Sequence, residues 1–522
     1  MSKSERIGRI QSLSASMLWP VGLAVLSGVL LALSFPRFNL APLAFGALVP
    51  LLVALDGLPS LQATYLGIIT GVVSSLISIP WVVHTMTTYG GLPLFLSLLL
   101  LLALSLYLAL YVGAFAFGVT RFSTGGGLAY LIGVPTLWVA LEYVRTFLIS
   151  GFPWNLLGYS QYRNLSVIQI ASITGVYGVS FLLVLSNAAV ALSFIYTRQG
   201  RRRAWLPVSG VGLFLMGAVL FGMGRMVAAE TRGREMRVSI VQGNIDQRVK
   251  WDAEFQVRTI DVYRRLTLKT DEGSALIVWP ETAVPFFLRE GGPLSQRVLD
   301  LAREVRSYIL VGSPDRTGGS SPDYYNSAFL ISPGGKILQK YDKIHLVPFG
   351  EYVPLRSVLF FVERMATGIG DFNAGENFTV FETPQGRFGV LICFEAIFPD
   401  QVRRYVLGGA NFLVNITNDA WFGRSSAPYQ HLSMAALRAV ENGVYLVRAA
   451  NTGISALIAP TGRILKQSAL FVEAVLSGTV TPGSAGTFYT RYGDLFAWGC
   501  GFISLFLVAW RGGRGKIDRG KV

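Results

Sequence analysis

The stretch Gly389-Val390-Leu391-Ile392-Cys393-Phe394-Glu395 decides how the polar half of this chain folds. Val390, Leu391 and Ile392 form an unbroken apolar run, the pattern of a strand covered on both faces. The run closes at Cys393, and Pro399-Asp400 reads as the start of a helix. A thiol on such a turn is a candidate nucleophile, because nearby helix-terminal N–H groups favour its thiolate. A lone cysteine is more often buried and inert, so its surroundings have to decide.

Outward from Cys393, the same kind of run recurs. Strands are expected over 237–242, 275–279, 308–312, 328–332, 389–393, 412–416 and 454–458. Helical spacing separates them over 254–269, 293–305 and 431–447. Strands interleaved with helices predict an α/β domain with a largely covered sheet, placed here at 228–485.

The rest of the chain has a different solvent. Of 522 residues, 52% are hydrophobic and 14% charged, with mean hydropathy +0.48, outside the range of an ordinary soluble enzyme. Apolar runs near 17–35, 38–57, 62–83, 93–120, 127–148, 165–196, 205–224 and 495–510 suit bilayer spans, which need roughly 20 residues each. The expected architecture is therefore a membrane domain of about eight transmembrane helices. Seven lie in 1–227, and the eighth, with a basic tail, lies in 486–522. The first apolar run lacks a small-residue cleavage site, so it reads as a span and not a signal peptide.

Lys and Arg set the orientation. Lys3, Arg6 and Arg9, then Arg198, Arg201, Arg202 and Arg203, then Arg511, Arg514, Lys516, Arg519 and Lys521 all fall on one face if there are eight spans. That face, with both termini, is expected to be cytoplasmic, and the α/β domain extracytoplasmic. Arg145 and Arg163 on the outer side run against the bias without reversing it. These anchors explain most of the +15 net charge. No basic, aromatic-studded face suggests nucleic acid. Cys500 lies in the last expected span, so a disulfide with Cys393 is implausible, and Cys393 is a free thiol in an oxidising compartment.

Two further segments carry chemistry. In Val278-Trp279-Pro280-Glu281-Thr282, proline ends the strand and Glu281 projects from its edge as a candidate general base. In Lys340-Tyr341-Asp342-Lys343-Ile344-His345, a lysine among apolar and aromatic neighbours suits oxyanion stabilisation. Taken singly, each reads as an ordinary loop residue. Together, a carboxylate, a lysine and a cysteine make a workable acyl-transfer set. His345 and His431 lack metal-ligand spacing, so neither a metal nor a cofactor is expected.

Trp279-Pro280-Glu281, then Lys343 within Tyr341 to Pro354, then Cys393-Phe394-Glu395, resemble the nitrilase (carbon–nitrogen hydrolase) superfamily. Val241-Gln242-Gly243-Asn244 and the surrounding spans narrow the resemblance to its membrane-embedded apolipoprotein N-acyltransferases. The resemblance implies an αββα nitrilase-like sandwich on the membrane base. It implies acyl transfer from a phospholipid, typically phosphatidylethanolamine, to the N-terminal diacylglyceryl-cysteine of apolipoproteins in the bacterial inner membrane. By match, Glu281 is the base, Lys343 the oxyanion residue and Cys393 the nucleophile that carries a thioester. Glu351 and Glu395 match supporting acidic positions, and Trp251 a substrate-binding aromatic. Phe394 stands where many members have tyrosine, which puts any role of that hydroxyl in doubt.

Apolar segments 285–288 and 353–362, with Phe360 and Phe361, are expected as lipid-facing lids over the site. Gly151-Phe152-Pro153-Trp154-Asn155 reads as an interfacial aromatic belt in preference to the lining of a lipid entry. Two rivals remain open at this point. One is a membrane-tethered amidase that passes the acyl group to water. The other is a transporter or sensor, for which Glu142 and Asp56 are the only intramembrane carboxylates to invoke.

Overall fold

A computed structural model of the chain describes residues 3–122, 126–228, 235–319, 322–352, 372–483 and 486–517. The long apolar runs form helices α1 (Lys3–Ser34), α2 (Ser60–Ser78), α3 (Leu94–Val119), α4 (Gly127–Phe147), α5 (Val176–Arg198) and α6 (Leu206–Ala228). Among the described residues these are the six long and apolar enough to cross a bilayer. Small residues let them approach: a Cβ on Gly67 or Gly71 of α2 would stand 2.5 Å from Val112 O or 2.6 Å from Ala109 Cα of α3.

Three expected spans are broken; that over 62–83 divides at Ile79-Pro80 between α2 and a short helix, Trp81–Thr88. Over 38–57 there is a 3-10 turn (Ala41–Phe45) and a short helix (Val49–Ala54), each with proline in its first turn. The freed backbone is satisfied by side chains of neighbouring helices. Leu48 N–H donates to Asn187 Oδ1 at 2.7 Å, and Leu51 N–H to Ser27 Oγ at 2.8 Å. Over 165–196 two single turns, Leu165–Ile168 and Ala171–Thr174, precede α5, with Gly175 at φ 66° marking the break.

Among the described residues twelve strands form the second half: β1 (Met236–Gln242), β2 (Leu276–Val278), β3 (Tyr308–Arg316), β4 (Tyr324–Ile331), β5 (Ile337–Asp342), β6 (Val380–Thr383), β7 (Gly386–Ile392), β8 (Phe412–Thr417), β9 (Tyr445–Ala450), β10 (Ala456–Ile458), β11 (Ile464–Gln467) and β12 (Ala474–Val480). They make two six-stranded sheets, ordered β12-β1-β2-β3-β4-β5 and β11-β10-β9-β8-β7-β6. Each has a parallel centre (β1, β2, β3 and β7, β8, β9) with antiparallel edges. The central strands β2 and β8 are buried at every position, as continuous apolar runs demand.

Helices α7 (Ala253–Thr267) and α8 (Pro293–Val305) cover the first sheet through a core in which Tyr263 stacks on Trp279 at 4.7 Å. Helices α9 (Pro399–Leu407) and α10 (Ala427–Asn442) cover the second sheet, completing four layers. The expected helix over 431–447 ends at Asn442, where Gly443 takes φ 66° and the chain turns into β9. The last helix, α11 (Leu495–Ile517), packs on α4.

α10 is buried at every position except Tyr429, because it lies between the second sheet and the membrane helices. Its polar residues make the junction. Gln430 Oε1 accepts from Trp154 Nε1 at 2.8 Å and Trp81 Nε1 at 3.2 Å, and its Nε2 donates to Ser78 O and Pro36 O. Trp154 is thus a buried junction residue and not part of an interfacial belt. Glu441 accepts from Val176 N–H at 2.9 Å and from Arg438 at 2.8 Å.

Candidate active site

The three expected residues stand at strand ends of both sheets. β2 stops at Val278, and Glu281 lies in the turn closed by Ala283 N–H to Pro280 O, with Thr282 at φ 51°. Lys343 follows β5, its N–H donating to Asn326 O at 2.9 Å. Cys393 follows β7 at φ 54° and opens a 3-10 turn, Cys393–Ile397. All three are buried.

Glu281, Lys343 and Glu351 form one cluster. Lys343 Nζ is 2.8 Å from Glu351 Oε2 and 3.6 Å from Glu281 Oε1. Asn326 Nδ2 donates to both carboxylates, at 2.8 Å each, and Asn418 N–H donates to Glu281 Oε2 at 2.8 Å. Val347 N–H holds Glu351 Oε2 at 2.8 Å. Burial opposes the Lys343 charge, but Glu351 and then Glu281 outweigh it and leave its pKa raised. The lysine is a fixed cation at neutral pH.

The Cys393 thiol behaves in the opposite way to the sequence expectation. Burial and the Glu281 charge push its pKa up, and Lys343 only partly offsets them. The resting sulfur is therefore a neutral thiol, not a pre-formed thiolate. Such a thiol reacts only when a base takes its proton, and Glu281 is the carboxylate whose charge reaches it most strongly. Cys393 and Cys500 are both free.

Glu395 gathers five donors. Oε1 accepts from Tyr341 Oη at 2.6 Å, Gln401 Nε2 at 2.7 Å, Ile344 N–H at 2.8 Å and His345 N–H at 3.1 Å, and Oε2 from Ile392 N–H at 2.7 Å. It joins the Lys343 loop to the Cys393 turn. Phe394 packs edge-on to Phe398 at 5.2 Å and near His345 at 5.9 Å. His345 stacks on Phe398 at 3.7 Å, and burial with the Lys343 charge lowers its pKa to about 4.

Trp251 is half-buried in the turn before α7. Its neighbour Lys250 donates to Glu281 O at 3.3 Å, which places that turn beside the site. Pro285–Leu288 is not a lipid-facing lid: Pro285 and Leu288 are buried, and Phe286 packs on the first sheet's core. Phe360 and Phe361 lie outside the described residues.

Sequence reasoning missed Asn326, Asn418 and the buried group His431, Asp419 and Arg448. Asn418-Asp419 follows an apolar strand end just as Glu281 does, and that signal was available. Asn326 sits inside β4, where nothing in the sequence marks it.

Comparisons with known proteins give the family. Residues 237–489 match the carbon–nitrogen hydrolase family, and residues 27–189 match the apolipoprotein N-acyltransferase N-terminal domain. The apolipoprotein N-acyltransferase of Geobacter metallireducens is 49% identical over 484 residues, covering 92% of each chain. That of Methylococcus capsulatus is 36% identical over 481 residues, 90% of this chain and 92% of its own. An amidase from Nesterenkonia sp. is similar in structure at 21% identity and TM-score 0.39, over 51% of this chain and 96% of its own. The fold is that of a carbon–nitrogen hydrolase carried on apolar membrane helices. The chain belongs to the apolipoprotein N-acyltransferase family and is a membrane acyltransferase.

Proposed function

We propose that this enzyme moves an acyl chain from a phospholipid, with phosphatidylethanolamine the expected donor, to the α-amine of an N-terminal diacylglyceryl-cysteine. The single observation that carries the reading is the convergence of Glu281, Lys343 and Cys393 on strand ends above a helical membrane base. Glu281 takes the Sγ proton, and the thiolate attacks the ester carbonyl carbon. Lys343 Nζ holds the oxyanion. Collapse breaks the C–O bond, the lysolipid alkoxide takes the proton from Glu281, and an acyl thioester remains on Cys393. The acceptor amine then attacks the thioester carbon and gives a proton to Glu281. The C–S bond breaks, and the Cys393 thiolate takes that proton back from Glu281.

Glu351 keeps Lys343 charged and in place, so the ammonium does not collapse onto the base. Glu395 holds the lysine loop against the nucleophile turn. Trp251 and the segment with Phe360 and Phe361 are read as the lipid-binding side of the site. The α/β part, 228–485, stands on the extracytoplasmic side of the inner membrane, between segments 1–227 and 486–522 whose basic clusters mark a cytoplasmic face.

Intact-protein mass spectrometry tests this. A phospholipid-dependent acyl adduct, absent in Cys393→Ala and discharged by a diacylglyceryl-cysteine peptide with amide formation, is the expected result. Discharge by water alone, with no acylated peptide, would replace the transferase reading with a hydrolase.

A further inference from the structure

Two hydrogen bonds hold the backbone on either side of Cys393. Before it, Ile392 N–H donates to Glu395 Oε2 at 2.7 Å. After it, the Cys393 carbonyl oxygen lies 3.1 Å from His431 Nε2. Between them the cysteine adopts φ 54°. A left-handed backbone at a non-glycine residue is strained and persists where its surroundings over-determine it. Glu395 supplies one restraint and His431 the other.

The ring's other nitrogen fixes its hydrogen. His431 Nδ1 is 3.1 Å from Arg448 Nη2 and 3.1 Å from Asp419 Oδ1, and all three side chains are buried. Arginine can only donate, so Nδ1 presents its lone pair, and Nε2 carries the hydrogen that a carbonyl requires. Asp419 is satisfied without the ring: Oδ2 accepts from Arg448 at 2.7 Å and Oδ1 from Thr417 Oγ1 at 3.0 Å. Burial and the Arg448 charge hold the imidazole pKa below its ordinary value, so the ring stays neutral at working pH.

We propose that His431 is the positioning residue of the nucleophile. Held as the Nε2–H tautomer by Arg448, it donates to the Cys393 carbonyl and keeps the left-handed turn that aims Sγ at the acyl carbon. It neither touches substrate nor moves a proton. Its helix turn is fixed independently of β7, because the adjacent Gln430 bonds Trp154 and Trp81 of the membrane part. The inference rests on reading Cys393 as the nucleophile.

The test uses the full-length enzyme in detergent micelles with phospholipid. The single-turnover rate of the Cys393 acyl adduct and the lipid KM are measured for wild type, His431→Leu, His431→Gln and His431→Asn. Loss of the donor in His431→Leu is expected to slow acylation roughly 10–100-fold with KM little changed, as for misplacement of a reacting group. The Gln amide nitrogen reaches the Nε2 position and should recover most of the rate. The Asn amide reaches only the Nδ1 position and should not. If His431→Leu fails to fold, the Gln against Asn comparison decides alone. Equal rates in those two variants, a wild-type rate in the Leu variant, or a loss confined to KM would each overturn the inference. A wild type that forms no adduct, behaving like Cys393→Ala, would instead remove the nucleophile reading beneath it.

Discussion

Asn326 Nδ2 donates to Glu281 Oε1 at 2.8 Å, from a position inside β4 that no charge or motif marks. The same nitrogen reaches Glu351 Oε1 at 2.8 Å, so one amide spaces the two carboxylates on either side of Lys343. Asn326→Leu removes both bonds while keeping the volume. Hydrogen bonds to charged groups contribute about 1.5–3 kcal/mol, so kcat is expected to fall about 10–100-fold. Asn326→Asp places a third carboxylate in the cluster and should be worse than Leu. Steady-state transfer to a diacylglyceryl-cysteine peptide measures both, and a Leu variant with wild-type kcat would show that the spacing is set elsewhere.

The raised Cys393 pKa has a testable sign. A folded-state value above the free-thiol value of roughly 8.5 means less thiolate at every pH than an exposed cysteine would show. The ultraviolet thiolate absorbance that Cys393→Ala abolishes should therefore have no midpoint below about pH 9. Glu281→Gln removes the second-largest cause of the shift, after burial, so the midpoint should move down while acylation falls. A thiol that titrates near neutrality in wild type would refute the neutral resting state.

Gly312 is where Glu281, the proposed base, can be moved without touching it. A Cβ there would stand 2.5 Å from Thr282 N, 2.7 Å from Glu281 Cα and 2.7 Å from Pro280 O, all backbone-fixed atoms. Gly312→Ala must displace the turn after β2, and a shift near 1 Å at a catalytic group lowers rate about 100-fold. Melting in detergent should change far less than kcat. Equal, large losses in both would mean that the substitution unfolds the first sheet and does not simply move Glu281.

Glu281 and Cys393 were legible because each follows an apolar strand, where a polar residue has no packing reason to stand, and Lys343 because it sits among apolar and aromatic neighbours after the mixed edge strand β5. The partners that tune them were not. Asn326 and Glu281 are 45 positions apart, and His431 and Cys393 are 38 apart, so only the strand order of the first sheet and the packing of α10 on the second bring them together. Hydropathy found the membrane part but drew 38–57 as a continuous helix. A buried, proline-broken segment whose amides are capped by Asn187 and Ser27 carries the same apolar composition as a span. Antiparallel edge strands such as β11, exposed at three of four positions, lack the apolar run that betrayed the central ones.

Gln430 gives the last prediction, about how the two parts of the enzyme stay in register. Its amide meets four groups from the membrane part: two indole N–H donors and the carbonyls of Ser78 and Pro36. Gln430→Leu keeps the size but strands Trp81 and Trp154 N–H groups in a buried junction, at about 1–3 kcal/mol for each unsatisfied group. Gln430→Glu keeps the acceptor for both indoles but turns the donor end into a second oxygen facing two carbonyls. A neutral acid restores one donor, so this variant should be nearer wild type at low pH and lose stability as pH rises through its carboxyl pKa. The Leu variant should show no such slope. Detergent melting of both variants between pH 5 and pH 8 reads this directly. Parallel curves would mean that the amide's donor end carries no weight at the junction, and that Gln430 acts there only through its bonds to the two tryptophans.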